Sequence, residues 1–175
     1  HFTFFANTVL PYLADHTRDR DLRIWSAGCS TGEEPYTLAM IIQDFVRDRD
    51  CWDDTRILAT DISEKVLKKA MEGIYTKDSV KDLPAFWKLN YIKKIDENHV
   101  QLTEQILNQV IFKKFNLMTP RFPFKRKFHV IFCRNVMIYF NKDTRLQLIQ
   151  KFYDFTEPGG YLFIGQSESI NRNET

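Results

Sequence analysis

The run Ile24-Trp-Ser-Ala-Gly-Cys-Ser-Thr-Gly-Glu-Glu34 constrains this chain more than any other stretch. Apolar residues lead into Gly28 and Gly32, and a helical pattern opens at Glu33. Strand, glycine turn and helix start make the first unit of an α/β sheet with a nucleotide-type pocket. Glycines there let backbone approach a ligand closely, which makes Gly28 a candidate binding position. A helix N-terminus attracts anions, yet two acids, Glu33 and Glu34, occupy this first turn. No Lys follows Gly32, so the run is not a P-loop. Two carboxylates repel a pyrophosphate and suit a cationic ligand. A nucleoside bearing an amino acid and a sulfonium fits better than NAD or ATP, which points to S-adenosylmethionine.

The alternation continues along the chain. Asn7 to His16 is predicted as a short helix, Leu22 to Ala27 as the first strand and Pro35 to Arg49 as a long helix. Arg56 to Thr60 is the second strand, ending at Asp61; Ser63 caps the next helix, which stops at Gly73. Val110 begins a third strand that ends at Asn116, and Phe128 to Cys133 is the fourth. Asn141 caps a helix bearing Leu146, Ile149 and Phe152; Pro158-Gly-Gly160 ends it, before a fifth strand at Tyr161 to Ile164. Strands alternating with helices predict a mostly parallel sheet covered on both faces. Residues 74–108 break that rhythm and read as a small inserted β subdomain, with a hairpin over Tyr91 to Thr103 turning at Glu97-Asn98.

At 175 residues the chain is about one domain, long enough for a full core. A net charge of +2 lacks the basic excess of a dedicated nucleic-acid binder. Three Cys stand in no metal-ligand spacing, which favours reduced thiols in a cytoplasmic protein and no metal site. No apolar run reaches the roughly 18 residues of a membrane span. A chain opening at His1 and closing on polar Asn171 to Thr175 is expected to be part of something longer.

Polar residues at strand ends are the candidates for chemistry, because open α/β sheets bind ligands there. Asp61 can accept both ribose hydroxyls or merely cap the following helix. Glu34 can hold charged or hydroxyl groups of a cofactor, or close a capping box with Thr31. Cys29 reads as a small packing residue rather than a nucleophile. Asn116-Leu117 can read an adenine edge or simply end a strand. Arg134-Asn135 follows the fourth strand, where an Arg can clamp a carboxylate in a bidentate fork or form an ordinary surface ion pair. Tyr139 reads as a core aromatic with a wet hydroxyl. Lys113, Lys114, Arg121, Lys125, Arg126 and Lys127 bracket one link and form either a dock for an acidic partner or a solvated face.

Ser26 to Tyr36, Ala59-Thr-Asp-Ile62, Gly73-Ile-Tyr75, Phe132 to Phe140 and Pro158 to Glu168 together resemble the CheR-type chemotaxis receptor methyltransferases. The resemblance covers nearly the whole chain in order. It implies a class I S-adenosylmethionine-dependent methyltransferase fold, Rossmann-like, with residues 1–175 as the catalytic domain and the family's small helical N-terminal domain absent. It implies methyl transfer to glutamate side chains on chemoreceptor cytoplasmic helices, giving glutamyl methyl esters and S-adenosylhomocysteine. It implies cofactor contacts from Glu34, Asp61, Asn116, Leu117, Arg134 and Asn135, and places Tyr139 beside the transferred methyl. The β subdomain grips a receptor tail in some members. The family's Thr-x-Phe-Phe-Arg is here Phe2-Thr-Phe-Phe-Ala6, so Ala6 replaces an Arg that lines the active site. A chain lacking that charge is expected to transfer slowly, or to be a module that binds cofactor and docks receptors without transfer.

Overall fold

The structure, a computed structural model, describes residues 1–165. Its strands are β1 (Ile24–Ala27), β2 (Ile57–Asp61), β3 (Ile74–Thr76), β4 (Ile92–Lys94), β5 (His99–Leu102), β6 (Val110–Lys114), β7 (Phe128–Cys133) and β8 (Thr156–Ile164). Five of them form one sheet in the order β6-β2-β1-β7-β8, with every pair parallel. Every residue of β1 and β7 is buried, as parallel strands covered on both faces must be. The register sets Ala27 beside Thr60 and Ser26 beside Phe132. Gly28, Asp61 and Arg134 therefore leave the sheet along one edge. The chain walks outward from β1 through β2 to β6, then returns to β7 on the other side of β1. That reversal opens a crevice at the carboxyl ends of β1 and β7.

The helices are α1 (Phe2–Phe4), α2 (Leu10–His16), α3 (Glu33–Val46), α4 (Glu64–Glu72), α5 (Ala85–Asn90), α6 (Glu104–Leu107) and α7 (Lys142–Asp154). One core layer joins Phe5, Val9, Leu38 and Ile42 to Ile24, Val130 and Phe132. The other surrounds Trp25 with Phe122, Phe128 and Phe152, in ring contacts of 5.3–5.4 Å. Each such side chain contributes about 1.5–3 kcal/mol by leaving water. The Trp25 indole N–H is satisfied inside this layer by the Thr60 hydroxyl at 3.0 Å. Ser63 and Asn141 cap α4 and α7 by accepting from Val66 N and Thr144 N.

β3, β4 and β5 form a separate antiparallel sheet in the order β3-β5-β4. The β4–β5 hairpin closes on Asp96, whose Oδ1 accepts the Asn98 and His99 amides at 2.7 and 2.8 Å. The helix α5, which leads into β4, is fastened to α3: Asp44 accepts the Trp87 indole N–H at 2.6 Å and the hydroxyl of Tyr91, just after α5, at 2.8 Å.

Two elements differ from their sequence patterns. Helical structure starts at Phe2 rather than Asn7, because a π-helical stretch at Phe5–Val9 joins α1 to α2 and breaks the 3.6-residue period. Pro158-Gly-Gly160 does not end α7, which stops at Asp154. It lies inside β8 as a bulge, since Thr156 pairs with Phe128 while Tyr161 pairs with Val130. A Cβ on Gly160 would sit 2.6 Å from the His129 carbonyl oxygen, so the bulge needs glycine there.

At the opposite end of the sheet Arg23 ties β1, β7 and β8 together. It pairs with Asp21 at 2.9 Å and with Asp19 and Glu157 at 3.1 Å each. Buried His129 accepts the Arg23 amide at its Nδ1, a role that needs an unprotonated ring nitrogen. Burial first, then the Arg23 charge, hold His129 below its ordinary value, against Asp19 and Glu157. The unfolded chain therefore binds a proton near pH 6.5 that the folded chain refuses, and stability falls as pH drops through that value. The expected result is a thermal midpoint that declines from pH 7 to pH 5, with a flatter limb in His129→Gln. Equal slopes in both proteins would exclude His129 as the cause.

Candidate functional site

The switch-point crevice is a cleft of about 580 Å3, within the roughly 300–1,000 Å3 of small-molecule sites. The glycine loop and the start of α3 form one wall, with Gly28, Ser30, Glu33, Glu34 and Thr37. The turn after β7 forms the other, with Arg134, Asn135, Val136 and Tyr139, and Asp61 lies between them. A second, apolar slot of about 250 Å3 shares Gly28, Asp61 and Val136 and adds Ile62, Asn116, Leu117 and Met118. The sequence candidates Gly28, Glu34, Asp61, Asn116, Leu117, Arg134, Asn135 and Tyr139 thus all line one continuous surface.

Local bonding shapes this surface. Gly28 holds φ +75° and Gly32 +95°. A Cβ on Gly28 would overlap Val136 Cγ2, so only hydrogen fits between the two walls. Ser30 adopts φ +51° and donates its amide to Asp61 Oδ2 at 2.9 Å, while Asp61 Oδ1 accepts the Ser63 amide at 3.0 Å. Asp61 therefore organises the loop and the α4 entry and keeps further lone pairs for a ligand. Asn135 is also left-handed, at φ +64°. Asn116 Oδ1 accepts its own turn amide, from Met118, at 2.9 Å. Lys151 of α7 donates to the carbonyls of Leu117 and Thr119 at 2.8 and 3.1 Å and braces that turn.

Glu34 closes no capping box with Thr31, whose hydroxyl bonds Glu33 instead. It accepts the Ser26 hydroxyl at 2.8 Å and lies 3.6 Å from Arg134 Nη1. Burial pushes the Glu34 carboxyl up, while the Ser26 bond and the Arg134 charge pull it down. Arg134 Nε is buried with no hydrogen-bond partner among the described residues. The Phe2 ring lies 5.1 Å from the Arg134 guanidinium carbon. Burial, with Asp61 next, pushes the Cys29 thiol up to about 12, so it stays protonated and unreactive.

Tyr139 is not a core aromatic: it stands at the cleft rim, 81% exposed. Ala6 packs against the core, and Phe2 is the side chain of the first segment that reaches the cleft. In the basic link, Arg126 pairs with Asp21 at 2.6 Å and Lys114 with Glu64 at 3.1 Å, so part of that charge is spent within the chain. Ser26, Ser30, Phe2 and Val136 stand within the motifs of the sequence but take no role at the site from sequence alone. Only Ser26, a polar residue inside an apolar strand run, carried a local signal. Gln166 to Glu168 of the last motif lie outside the described residues.

An acid at the end of β2, two more in the first turn of α3, no P-loop Lys and an apolar slot suit an adenosyl group that carries a positive charge. The parallel sheet and this cleft define a Rossmann-like class I methyltransferase domain. The fold is shared with the CcbJ methyltransferase from Streptomyces caelestis, at TM-score 0.52 and 14% identity over 91% of this chain and 51% of that one. Residues 1–175 match the family described as CheR methyltransferase, SAM binding domain, and the chain belongs to that family. It is 45% identical to the chemotaxis protein methyltransferase of Borreliella burgdorferi over 99% of this chain. It is 37% identical to that of Escherichia coli over 94%. The chain spans 62% and 58% of the lengths of those two proteins. Among the described residues no helix is long and apolar enough to cross a membrane.

Proposed function

We propose that this chain transfers a methyl group from S-adenosylmethionine to glutamate side chains on chemotaxis receptor helices, giving glutamyl methyl esters. The observation that carries this reading is Arg134, a guanidinium at an acid-lined cleft whose buried Nε has no hydrogen-bond partner among the described residues. It is a ready fork for an incoming carboxylate. Asp61 accepts the ribose hydroxyls, Glu34 faces the amino group, and Asn116 and Leu117 meet the adenine in the apolar slot. Gly28 and Asn135 let both walls close on the ligand. S-adenosylmethionine, when bound, supplies an electrophilic methyl on a sulfonium. A glutamate carboxylate is already ionised at pH 7, so no general base is needed. Arg134 and rim Tyr139 align it and exclude water, and alignment alone supplies up to roughly 7–11 kcal/mol. The sheet of residues 74–108 offers a receptor tail a second contact, beside the groove lined by Thr76, Lys81 and Asn98. The reading without transfer is not favoured, since the relatives are named methyltransferases and Ala6 stands outside the cleft lining.

The test is radiolabelled methyl from S-adenosylmethionine appearing on a receptor cytoplasmic fragment in base-labile form. Label that resists base, or no label, overturns the reading. Asp61→Ala should weaken S-adenosylhomocysteine by about ten- to a hundredfold, as hydrogen bonds to a charged group are worth about 1.5–3 kcal/mol. Unchanged affinity by calorimetry would remove Asp61 from the ribose role.

A further inference from the structure

Tyr75 belongs to β3, outside the parallel sheet, yet it touches the glycine loop. Its hydroxyl donates to the Thr31 carbonyl at 2.7 Å. A Cβ on Gly32 would lie 3.0 Å from that hydroxyl oxygen and 3.1 Å from the Tyr36 ring, so the loop rests on both with no slack. The two tyrosine rings meet edge to face at 6.3 Å, and the Tyr36 hydroxyl donates to the Ala70 carbonyl at 2.6 Å.

The loop holds Gly28, Ser30 and Gly32 at positive φ, a shape that neighbours must impose. β2 imposes its first half: the Thr60 carbonyl accepts the Gly28 and Cys29 amides at 2.8 Å each, and Asp61 accepts Ser30. The second half, Thr31 and Gly32, leads directly into Glu33 and Glu34. Tyr75 of the inserted sheet supports that half. Burial pushes the Tyr75 hydroxyl up, with Glu33 adding to the effect, so it remains a donor across the physiological range.

We propose that Tyr75 is a positioning residue for the methyl donor, through which the inserted sheet holds the end of the glycine loop so that Ser30, Glu33 and Glu34 face the cofactor. This rests on the reading that the cleft binds S-adenosylmethionine. The inserted sheet then supports the cofactor site from behind the glycine loop and is also a surface of its own. The separate fastening of α5 and Tyr91, which lead into β4, to Asp44 of α3 keeps the insertion in place when the Tyr75 hydroxyl is removed.

The experiment is calorimetric titration of S-adenosylhomocysteine into the full chain, as wild type and as Tyr75→Phe. Thermal midpoints are taken without ligand. Tyr75→Phe should weaken binding about three- to tenfold, the size of one neutral hydrogen bond, with its midpoint lowered by no more than the few degrees that one such bond is worth. In methyl transfer, KM for S-adenosylmethionine should rise while kcat at saturating cofactor holds. A merely structural tyrosine would lower the midpoint and leave the affinity of folded protein unchanged, and that result overturns the proposal. If the wild type binds no S-adenosylhomocysteine, the reading of the cleft itself fails. If the wild type binds S-adenosylhomocysteine and Tyr75→Phe binds it equally well, the cleft reading stands and the role of Tyr75 falls.

Discussion

Gly28→Ala is expected to cost about a hundredfold in S-adenosylhomocysteine affinity, or ~2.7 kcal/mol, while leaving the chain folded. Two separate effects meet at this position. Its φ of +75° is a left-handed conformation that costs a residue with a Cβ about 1–2 kcal/mol. That strain is present with or without ligand, so it appears as a lower thermal midpoint, by roughly 2–4 °C per kcal/mol in a domain of this size. The second effect is steric. The new Cβ would overlap Val136 Cγ2, and Val136 lines both the cleft and the apolar slot. Separating the two walls deforms the surface on which an adenosyl group must lie. Val136→Ala in the same chain should recover affinity but not the midpoint, because it removes the overlap and keeps the strain. Wild-type affinity in Gly28→Ala would mean that S-adenosylhomocysteine does not lie in this crevice.

The residues best read from sequence are those whose place is set by strand ends. Gly28, Asp61 and Arg134 each follow a short apolar run, and parallel pairing in register brings such positions to one edge whatever the loops do. Ser63, Gly73 and Asn141 were legible for a local reason: capping depends on residues within one turn. What stayed hidden depends on distant partners. Glu34 had a plausible neighbour in Thr31, but the buried hydroxyl of Ser26, across the β1–α3 turn, takes its Oε1. Pro158-Gly-Gly160 carries the composition of a helix stop, yet its glycine is explained as a bulge by the closeness of the His129 carbonyl, with Thr156 and Glu157 crowding the same position. Phe2 reaches the cleft because a π-helical stretch redirects the first segment, and no apolar period announces that. Tyr75 stood out as part of a motif, but its contact with Thr31 exists only once the inserted sheet is docked.

Arg134→Met should lower kcat/KM for a receptor fragment by about 2–5 kcal/mol if the receptor carboxylate is desolvated against it, the cost of truncating one partner of a charge pair closed off in the complex. At 1.36 kcal/mol per decade that is roughly thirtyfold to several-thousandfold. Arg134→Lys should recover only part, since an ammonium keeps the charge and loses the planar fork. The same substitution carries a pH signature that separates it from simple damage. Glu34 lies 3.6 Å from Arg134 and is pushed up by burial, against the Ser26 bond and the Arg134 charge. An ionised Glu34 is the form that attracts the cofactor's ammonium. Affinity for S-adenosylhomocysteine should therefore fall as pH drops through the raised Glu34 value. Removing Arg134 takes away one of the two influences that hold this value down, so in Arg134→Met the fall should begin at a higher pH. Glu34→Gln, which has no proton to gain, should lose that acid limb altogether. Calorimetric titrations across pH in the three proteins read this directly. Superimposable profiles for wild type and Arg134→Met would show that the two charges are not coupled. Arg134 would then act on the receptor carboxylate alone.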